Sequence, residues 1–435
     1  MNVIKLTDAM ERRERRNHLV ELIREKHGAQ EGIILFIGAF EIDKKQFEQA
    51  STLYYFFGLQ EPAVMICQEI GGKTTLFVPE YKIDRSVWLP QKFYLSTLKE
   101  MAIDHVSALG EGIRSCTALP FFKKEGLSIV LSYLQDAVKS GKKIFTAMRD
   151  NDIQQQWVLE QLMLFGGSLQ ESIIAIDDEI AQLRRKKSEQ ELEDLFQAAE
   201  VTALAQEAAA AAIKKGAYEQ EVQAAVEYIF TSSGAQKAFT TIAAGGINGT
   251  ILHYADNDQP LPDNGLVVVD CGAMVNHYCC DVTRTYPVAG VFSERQKKVY
   301  EDVLAVQKEI IALVKPGMYL KNKNYPDLCL QTRARRLFTE LGYDVDKDFP
   351  HGIGHYVGLD VHDVGTYETP LAEGDIITVE PGIYLKKETL GVRIEDVIWV
   401  VKDGSVCITD AIPKEVKEVE NMMKYVHQQI AANNH

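Results

Sequence analysis

Four carboxylates sit at or near the ends of apolar runs in the second half of this sequence, and they are its first chemical signal. Leu266-Val-Val-Val-Asp270 ends in Asp, and Asp281 follows eleven residues later within a strand-like run, Asn276 to Thr285. Ile376-Ile-Thr-Val-Glu380 ends in Glu, and Arg393-Ile-Glu395 places another Glu inside the run Val392 to Val400. Acidic residues are depleted in strands, and a carboxylate closing an apolar run costs free energy unless something compensates it. Gly272 to Asn276 reads as a turn, so a hairpin would set Asp270 and Asp281 on neighbouring strands. Four such carboxylates would repel one another unless cations lay among them. Imidazoles come from Pro350-His-Gly-Ile-Gly-His355 and from Val361-His362-Asp363. Gly352 and Gly354 favour tight backbone over helix, and no Glu lies between His351 and His355. This is therefore not the helical His-Glu-x-x-His zinc motif. One imidazole with four carboxylates is an oxygen-rich set that suits manganese, cobalt or iron better than a thiolate zinc site. Four carboxylates also suffice to bridge two divalent ions.

Each piece alone has a plainer reading. A lone Asp at a strand end is usually a turn residue or cap, and Glu380 before Pro381-Gly382 could simply open a turn. Arg393 and Glu395 could be an exposed cross-strand charge set. Gly245-Gly246 and Gly352/Gly354 match neither nucleotide-loop pattern.

The elements that must hold these residues divide the chain in two. At 435 residues it exceeds one ordinary core. The first part, to about residue 165, alternates an amphipathic helix over Glu11–Lys26 with apolar runs at Gly32–Gly38, Ala63–Cys67, Thr74–Val78 and Lys143–Thr146, an α/β pattern. A helical stretch, Asp152 to Phe165, stops at Gly166-Gly167, and the boundary falls between there and Lys187. This gives an N-terminal domain over 1–170 and a C-terminal one over 180–435. The second domain opens on Ser188 with Glu191, a capping box, for a helix that stops near Lys214-Lys215-Gly216. Ser293 with Gln296 repeats the signal for a helix ending at Pro316-Gly317. A third helix is expected from Pro326 to Leu341. Helices with mixed or antiparallel strands make this domain α+β.

Composition excludes several classes. A net charge of −15 argues against nucleic acid as a partner. No apolar run is long enough to cross a membrane. Met1 to Glu14 lacks the apolar core of a signal peptide. Seven cysteines without repeated spacing point to a reducing cytoplasm rather than a disulfide framework.

Together the segments LVVVDCG, DVTRTYP, HGIGHYVGLDVHDVG, ITVEPGIY and GVRIEDV, in that order, resemble the signatures of the pita-bread metallopeptidases of the proline-directed branch, aminopeptidase P and prolidase. STLYYFFGLQEPAV and TLFVPE resemble the creatinase-like N-terminal domain of that branch. The resemblance implies two divalent ions, manganese first, with cobalt, iron or zinc as alternatives. Asp270 would bind one ion, Asp281 and Glu395 would bridge the pair, and His355 with Glu380 would complete the other shell. The family's nucleophile is a water or hydroxide between the ions, and Glu380 would double as proton shuttle to the departing proline nitrogen. His253, His351 and His362 match pocket histidines that approach the substrate or stabilise the tetrahedral intermediate. Arg393 matches a pocket-wall arginine that grips the substrate. Peptides with proline in second position are the implied substrates, and a homodimer or homotetramer the implied assembly.

Two departures stand out. Phe239 takes the place of a Tyr that many members carry before the substrate histidine. The stretch Asp363 to Glu380 contains no Arg or Lys, whereas many prolidases carry there an arginine for a dipeptide's carboxylate. The second departure favours aminopeptidase P over prolidase. Creatinase lacks most of the carboxylates present here. A non-enzymatic binding member would be expected to show a degraded site and basic extensions.

Overall fold

The computed structural model describes residues 6–42, 45–79, 95–110, 124–148 and 153–433. Met1–Lys5, Glu80 of the TLFVPE segment and Asp152 of the expected fifth-strand-following helix lie outside the described residues. Contacts divide the chain into two units, Met1–Leu183 and Arg184–His435. The division falls inside the helix Asp177–Arg185.

The first unit is built on β1 (Gly32–Ile37), β2 (Met65–Glu69), β3 (Thr74–Val78), β4 (His105–Ala108), β5 (Lys143–Thr146) and β6 (Ile173–Ala175), in the order β4-β3-β2-β1-β5-β6. Central β1 runs antiparallel to β2 and parallel to β5. All six residues of β1 are buried, as expected of a run with no polar alternation. The helix Leu6–His27 is longer than the sequence suggested and is not cleanly amphipathic. Its buried stripe of Ala9, Leu19, Val20 and Ile23 also includes Arg16. That guanidinium donates to the carbonyls of Phe56 and Met101 at 2.6 and 2.7 Å, which makes its burial tolerable.

In the second unit β9 (Leu266–Cys271) lies between β8 (Ile242–Gly245) and β12 (Val282–Pro287), antiparallel to both. A second small sheet joins β7 (Gln236–Lys237), β10 (Ala273–Val275) and β11 (Tyr278–Cys279). Further along, β13 (Ile376–Val379), β16 (Asp396–Val401) and β17 (Gly404–Cys407) form a third sheet, and β14 (Gly382–Leu385) pairs with β15 (Leu390–Arg393). The helices Glu189–Ala212 and Glu294–Leu313 begin at Ser188 and Ser293, and both capping boxes close as the sequence predicts. Their apolar stripes, with those of Glu219–Ser232 and Leu330–Glu340, pack on one continuous core with Val267, Val269, Ile377 and Ile398.

Several strand and helix limits differ from expectation. Asn276 to Thr285 is not one strand, and the turn is not at Gly272–Asn276. Ala273–Val275 is itself a strand, and the reversal occurs at Asn276-His277, both with positive φ (48° and 72°). That pair is the signature of a two-residue hairpin turn whose twist matches its strands. Val392 to Val400 is also broken, between β15 and β16. Pro326–Leu328 forms a 3-10 turn, and the helix begins only at Leu330.

Candidate metal centre

The breaks explain where the carboxylates go. Only Asp270 sits within a strand, at Asp270↔Thr283 in the β9–β12 register. Asp281 lies between β11 and β12, Glu380 just beyond β13, and Glu395 between β15 and β16. A residue in such a gap is freed from strict alternation, so its side chain can turn toward a shared point. The gap at 394–395 is fastened instead by Glu395 N–H donating to the Thr283 carbonyl at 3.0 Å and Ile394 N–H to that of Pro381 at 3.3 Å. His355 is brought to the same point by its backbone hydrogen bonds with Thr378. A Cβ on Gly354 would lie 2.0 Å from the Thr378 carbonyl oxygen, so only glycine permits this approach.

His355, Asp281 and Glu395 offer ligand atoms all within 4.8 Å of one another. Nε2 of His355 lies 3.4 Å from Asp281, 3.7 Å from Glu380 and 4.0 Å from Glu395. Its Nδ1 faces the Tyr356 carbonyl at 3.1 Å. A carbonyl only accepts, so Nδ1 carries a proton and Nε2 is the nitrogen turned toward the carboxylates, the one free to serve as a ligand. Asp270 and Asp281 each keep one buried oxygen without a hydrogen-bond partner. Burial, with the charges of Glu395 and Asp270, holds Asp281 well above the usual carboxylate range. Burial and Glu395 do the same to Glu380, and Glu395 is pushed up to about 7 by burial and Asp270. Asp281, Glu380 and Glu395, so crowded, cannot all ionise readily unless cations compensate them. Orphaned oxygens, converging donors and an oxygen-rich set fit divalent ions.

Around this cluster the other expected residues line one cavity of about 950 Å³: His253, His351, His362 and Arg393. The His362 ring packs against His355 at a tilt of 57°, with ring centres 4.2 Å apart, and its pKa is lowered to about 4 by burial and its histidine neighbours. His351 is lowered to about 3, chiefly by burial and then by Arg393. Arg393 donates to Asp270 at 2.7 Å, to Tyr384 Oη at 3.0 Å and to Thr283 Oγ1 at 3.0 Å. Phe239 is half-buried and not among the cavity's lining; its ring packs beside Gly272. From Asp363–Glu380 the cavity receives Tyr367 and Glu368 besides Glu380, and no cation.

Sequence reading missed several residues that hold the cluster. Gln206 donates to the carbonyls of Val269 and Val282, and Tyr286 donates to it. Gln307 donates to the Ile394 carbonyl and to Asp396. Arg284, fully buried on β12, donates to the Glu395 carbonyl and to Asp396. Gln206 and Gln307 each interrupt the buried stripe of a helix, which was the available signal, whereas Arg284 stands between two threonines of β12. Lys321 and Lys323, also missed, line the cavity from a loop that carries no such mark.

Residues 193–402 match the family described as Metallopeptidase family M24, and residues 13–111 match Aminopeptidase P, N-terminal domain. The chain is 32% identical over 384 residues to the Xaa-Pro dipeptidase of Pyrococcus furiosus, covering 87% of this chain and 97% of that protein. The chain belongs to metallopeptidase family M24. Against the Xaa-Pro aminopeptidase of Haemophilus influenzae this M24 chain is 37% identical over 268 residues. That match covers 57% of the chain and 62% of the relative, less than two thirds of its length. Aminopeptidase PepP of Pseudomonas aeruginosa superposes with a TM-score of 0.78 at 26% identity, covering 97% of this chain and 99% of that one. The M24 chain thus has the pita-bread fold and its accompanying N-terminal domain, as the sequence resemblance implied.

Proposed function

We propose that this chain removes the N-terminal residue from peptides with proline in second position, using two divalent ions. The carrying observation is the convergence of Asp270, Asp281, His355, Glu380 and Glu395 on one cavity, with two carboxylate oxygens left without a partner. Asp270 would hold one ion, Asp281 and Glu395 both, and His355 with Glu380 the other. Manganese is the first choice, with cobalt, iron or zinc as alternatives. The ions would supply Lewis-acid polarisation and an acidified water.

The protein's own groups divide the remaining work. An Xaa-Pro bond is a tertiary amide, so its nitrogen must receive a proton as it departs. Glu380 has one oxygen toward His355 and the other, Oε2, 3.6 Å from His351 Nδ1. Its raised proton affinity suits Oε2 to take a proton and pass it to that nitrogen. His253 and His362 stand in the wall to donate to the carbonyl oxygen as charge develops. Arg393 lines the cavity with three nitrogens engaged, so its grip on substrate runs through Asp270 and Tyr384, which it fixes.

The absence of a cation between Asp363 and Glu380 favours peptides longer than two residues. The Pyrococcus relative supports the second reading, a dipeptidase. Metal-stripped protein given manganese, and assayed on Xaa-Pro dipeptides, Xaa-Pro-Yaa tripeptides and Xaa-Ala controls, separates them. Tripeptide cleavage with weak dipeptide turnover is the expected result. Dipeptide preference would establish the second reading, and no metal-dependent cleavage would sink both. Buried free cysteines suit a cytoplasmic setting, and a homodimer or homotetramer is the assembly to test by light scattering. Among the described residues no helix is long and apolar enough to cross a membrane.

A further inference from the structure

The floor of the cavity is acidic and buried, but its rim carries two cations that the proposed reaction leaves without a role. Lys321 and Lys323 both line it and both are exposed. Neither makes an ion pair or side-chain hydrogen bond among the described residues. Exposed lysines are commonly just solvated, so their setting decides the matter. The loop that carries them is braced. Tyr319 stacks flat on Tyr325, ring centres 4.8 Å apart and 1° from parallel. Asn322 Nδ2 donates to the Glu368 carbonyl at 3.3 Å across the cavity mouth, and its Oδ1 accepts from Asn324 N–H at 2.9 Å.

The same lysines also border a neighbouring cleft of about 570 Å³, where Arg335 and Arg336 join them and Glu340 is the one acidic lining residue. The loop is therefore a ridge between an acidic cavity and a basic cleft, in a chain whose net charge is −15. Asp363–Glu380 brings no cation into the cavity, and Arg393 is buried and bound to Asp270, Thr283 and Tyr384. Lys321 and Lys323 are thus the cations of the cavity wall left free to meet an anion.

We propose that Lys321 and Lys323 bind the C-terminal carboxylate of short peptides, and so set a preference for free peptides over amidated ones. The inference rests on the reading of the cavity as a peptidase site. A lysine is a point charge on a flexible stem, without the fixed fork of arginine. Two of them on a ridge can reach carboxylates at more than one distance, which gives a graded length preference rather than a strict dipeptide rule.

The test compares Xaa-Pro-Ala with its C-terminal amide, on the manganese-loaded full chain and on a Lys321→Met/Lys323→Met variant. For the unaltered protein, amidation should lower kcat/KM by about three- to ten-fold, mostly through KM, as two exposed ion pairs allow. The double variant should cleave acid and amide with equal efficiency. Added salt should narrow the gap in the unaltered protein. Equal treatment of acid and amide by the unaltered protein, or full discrimination surviving in the variant, would overturn the proposal. Calorimetric binding of Pro-Ala and Pro-Ala amide reads the same contact without turnover. Discrimination there, with no Xaa-Pro cleavage, would count against the reaction and support the carboxylate site. Its absence there would count against the site whatever the reaction.

Discussion

The centre is assembled from two halves that solve one problem with unequal completeness. Asp270 and Asp281 belong to the β9–β12 half, clasped by Gln206; Glu380 and Glu395 belong to the β13–β16 half, clasped by Gln307. Both glutamines are fully buried on long helices and reach across to strand backbone. Gln206 has every role filled, since its amide donates twice to carbonyls and Tyr286 donates to its oxygen. The oxygen of Gln307 has no partner, and one of its donations goes to a carboxylate, Asp396, that Arg284, Lys414 and Thr409 already serve. The first clasp is a closed hydrogen-bond set. The second is redundant at one end and incomplete at the other. Arg284 bolts the halves together, reaching from β12 to the Glu395 carbonyl, Asp396 and the Ile412 carbonyl.

The largest effect is expected at the point where the halves share their charge. Asp281→Asn or Glu380→Ala should cut kcat by about a thousand-fold or more, since each removes a group on which the proposed chemistry depends. Metal content by atomic emission, measured alongside, should fall for Asp281→Asn while circular dichroism stays unchanged; near-normal turnover in either variant would sink the ligand assignment. Next comes the bolt. Arg284→Met takes one donor from Asp396 and one from each of four carbonyls, those of Thr283, Glu395, Ile412 and Pro413, and should cost about 3–5 kcal/mol in urea unfolding. The clasps should then separate. Each glutamine serves two carbonyls, but Gln206→Leu also strands the Tyr286 hydroxyl and should cost about 2–3 kcal/mol, whereas Gln307→Leu, with no donor left unserved, should cost about 1 kcal/mol. Equal losses would mean that the redundancy around Asp396 has no energetic weight.

Mild acid should do least. Asp363 is buried against Arg184 and Lys187, which hold its carboxyl below the usual range despite the opposing effect of burial. A depressed carboxyl stabilises the fold above its unfolded pKa and loses that contribution as pH falls through the folded one. Its share should therefore be constant from pH 7 to 5 and decline only below about pH 4. Thermal melts of Asp363→Asn against the unaltered chain check this: the variant should lack that part of the decline.

The sequence announced the type of centre more clearly than its geometry. Carboxylates closing apolar runs at Asp270 and Glu380 are conspicuous because strands rarely tolerate them. The breaks at 280–281 and 394–395 left no trace, since the β15–β16 region reads Val392 to Val400 as one apolar stretch and the interruption is imposed by Thr283 and Pro381 from elsewhere. Gln206 and Gln307 were hidden in another way. A glutamine in a helix ordinarily faces water, and only its place in the stripes Thr202-Ala205-Ala209 and Val303-Leu304-Ile310 betrays it. Both helix starts were legible because a capping box is a local device that needs no tertiary partner.

The chain of donors from Arg393 through Tyr384 to His351 carries a last implication. A guanidinium can only give hydrogen bonds, so Tyr384 Oη accepts from Arg393 and passes its own proton toward His351 Nε2 at 2.9 Å. His351 Nδ1 must then point its proton at the Gly352 carbonyl, 2.8 Å away. With the neutral ring that burial and Arg393 favour, every bond in the series runs one way. This imidazole is thereby fixed in orientation at both ring nitrogens. Glu380 Oε2 lies 3.6 Å from that fixed ring, so the two groups meet the cavity at a set separation.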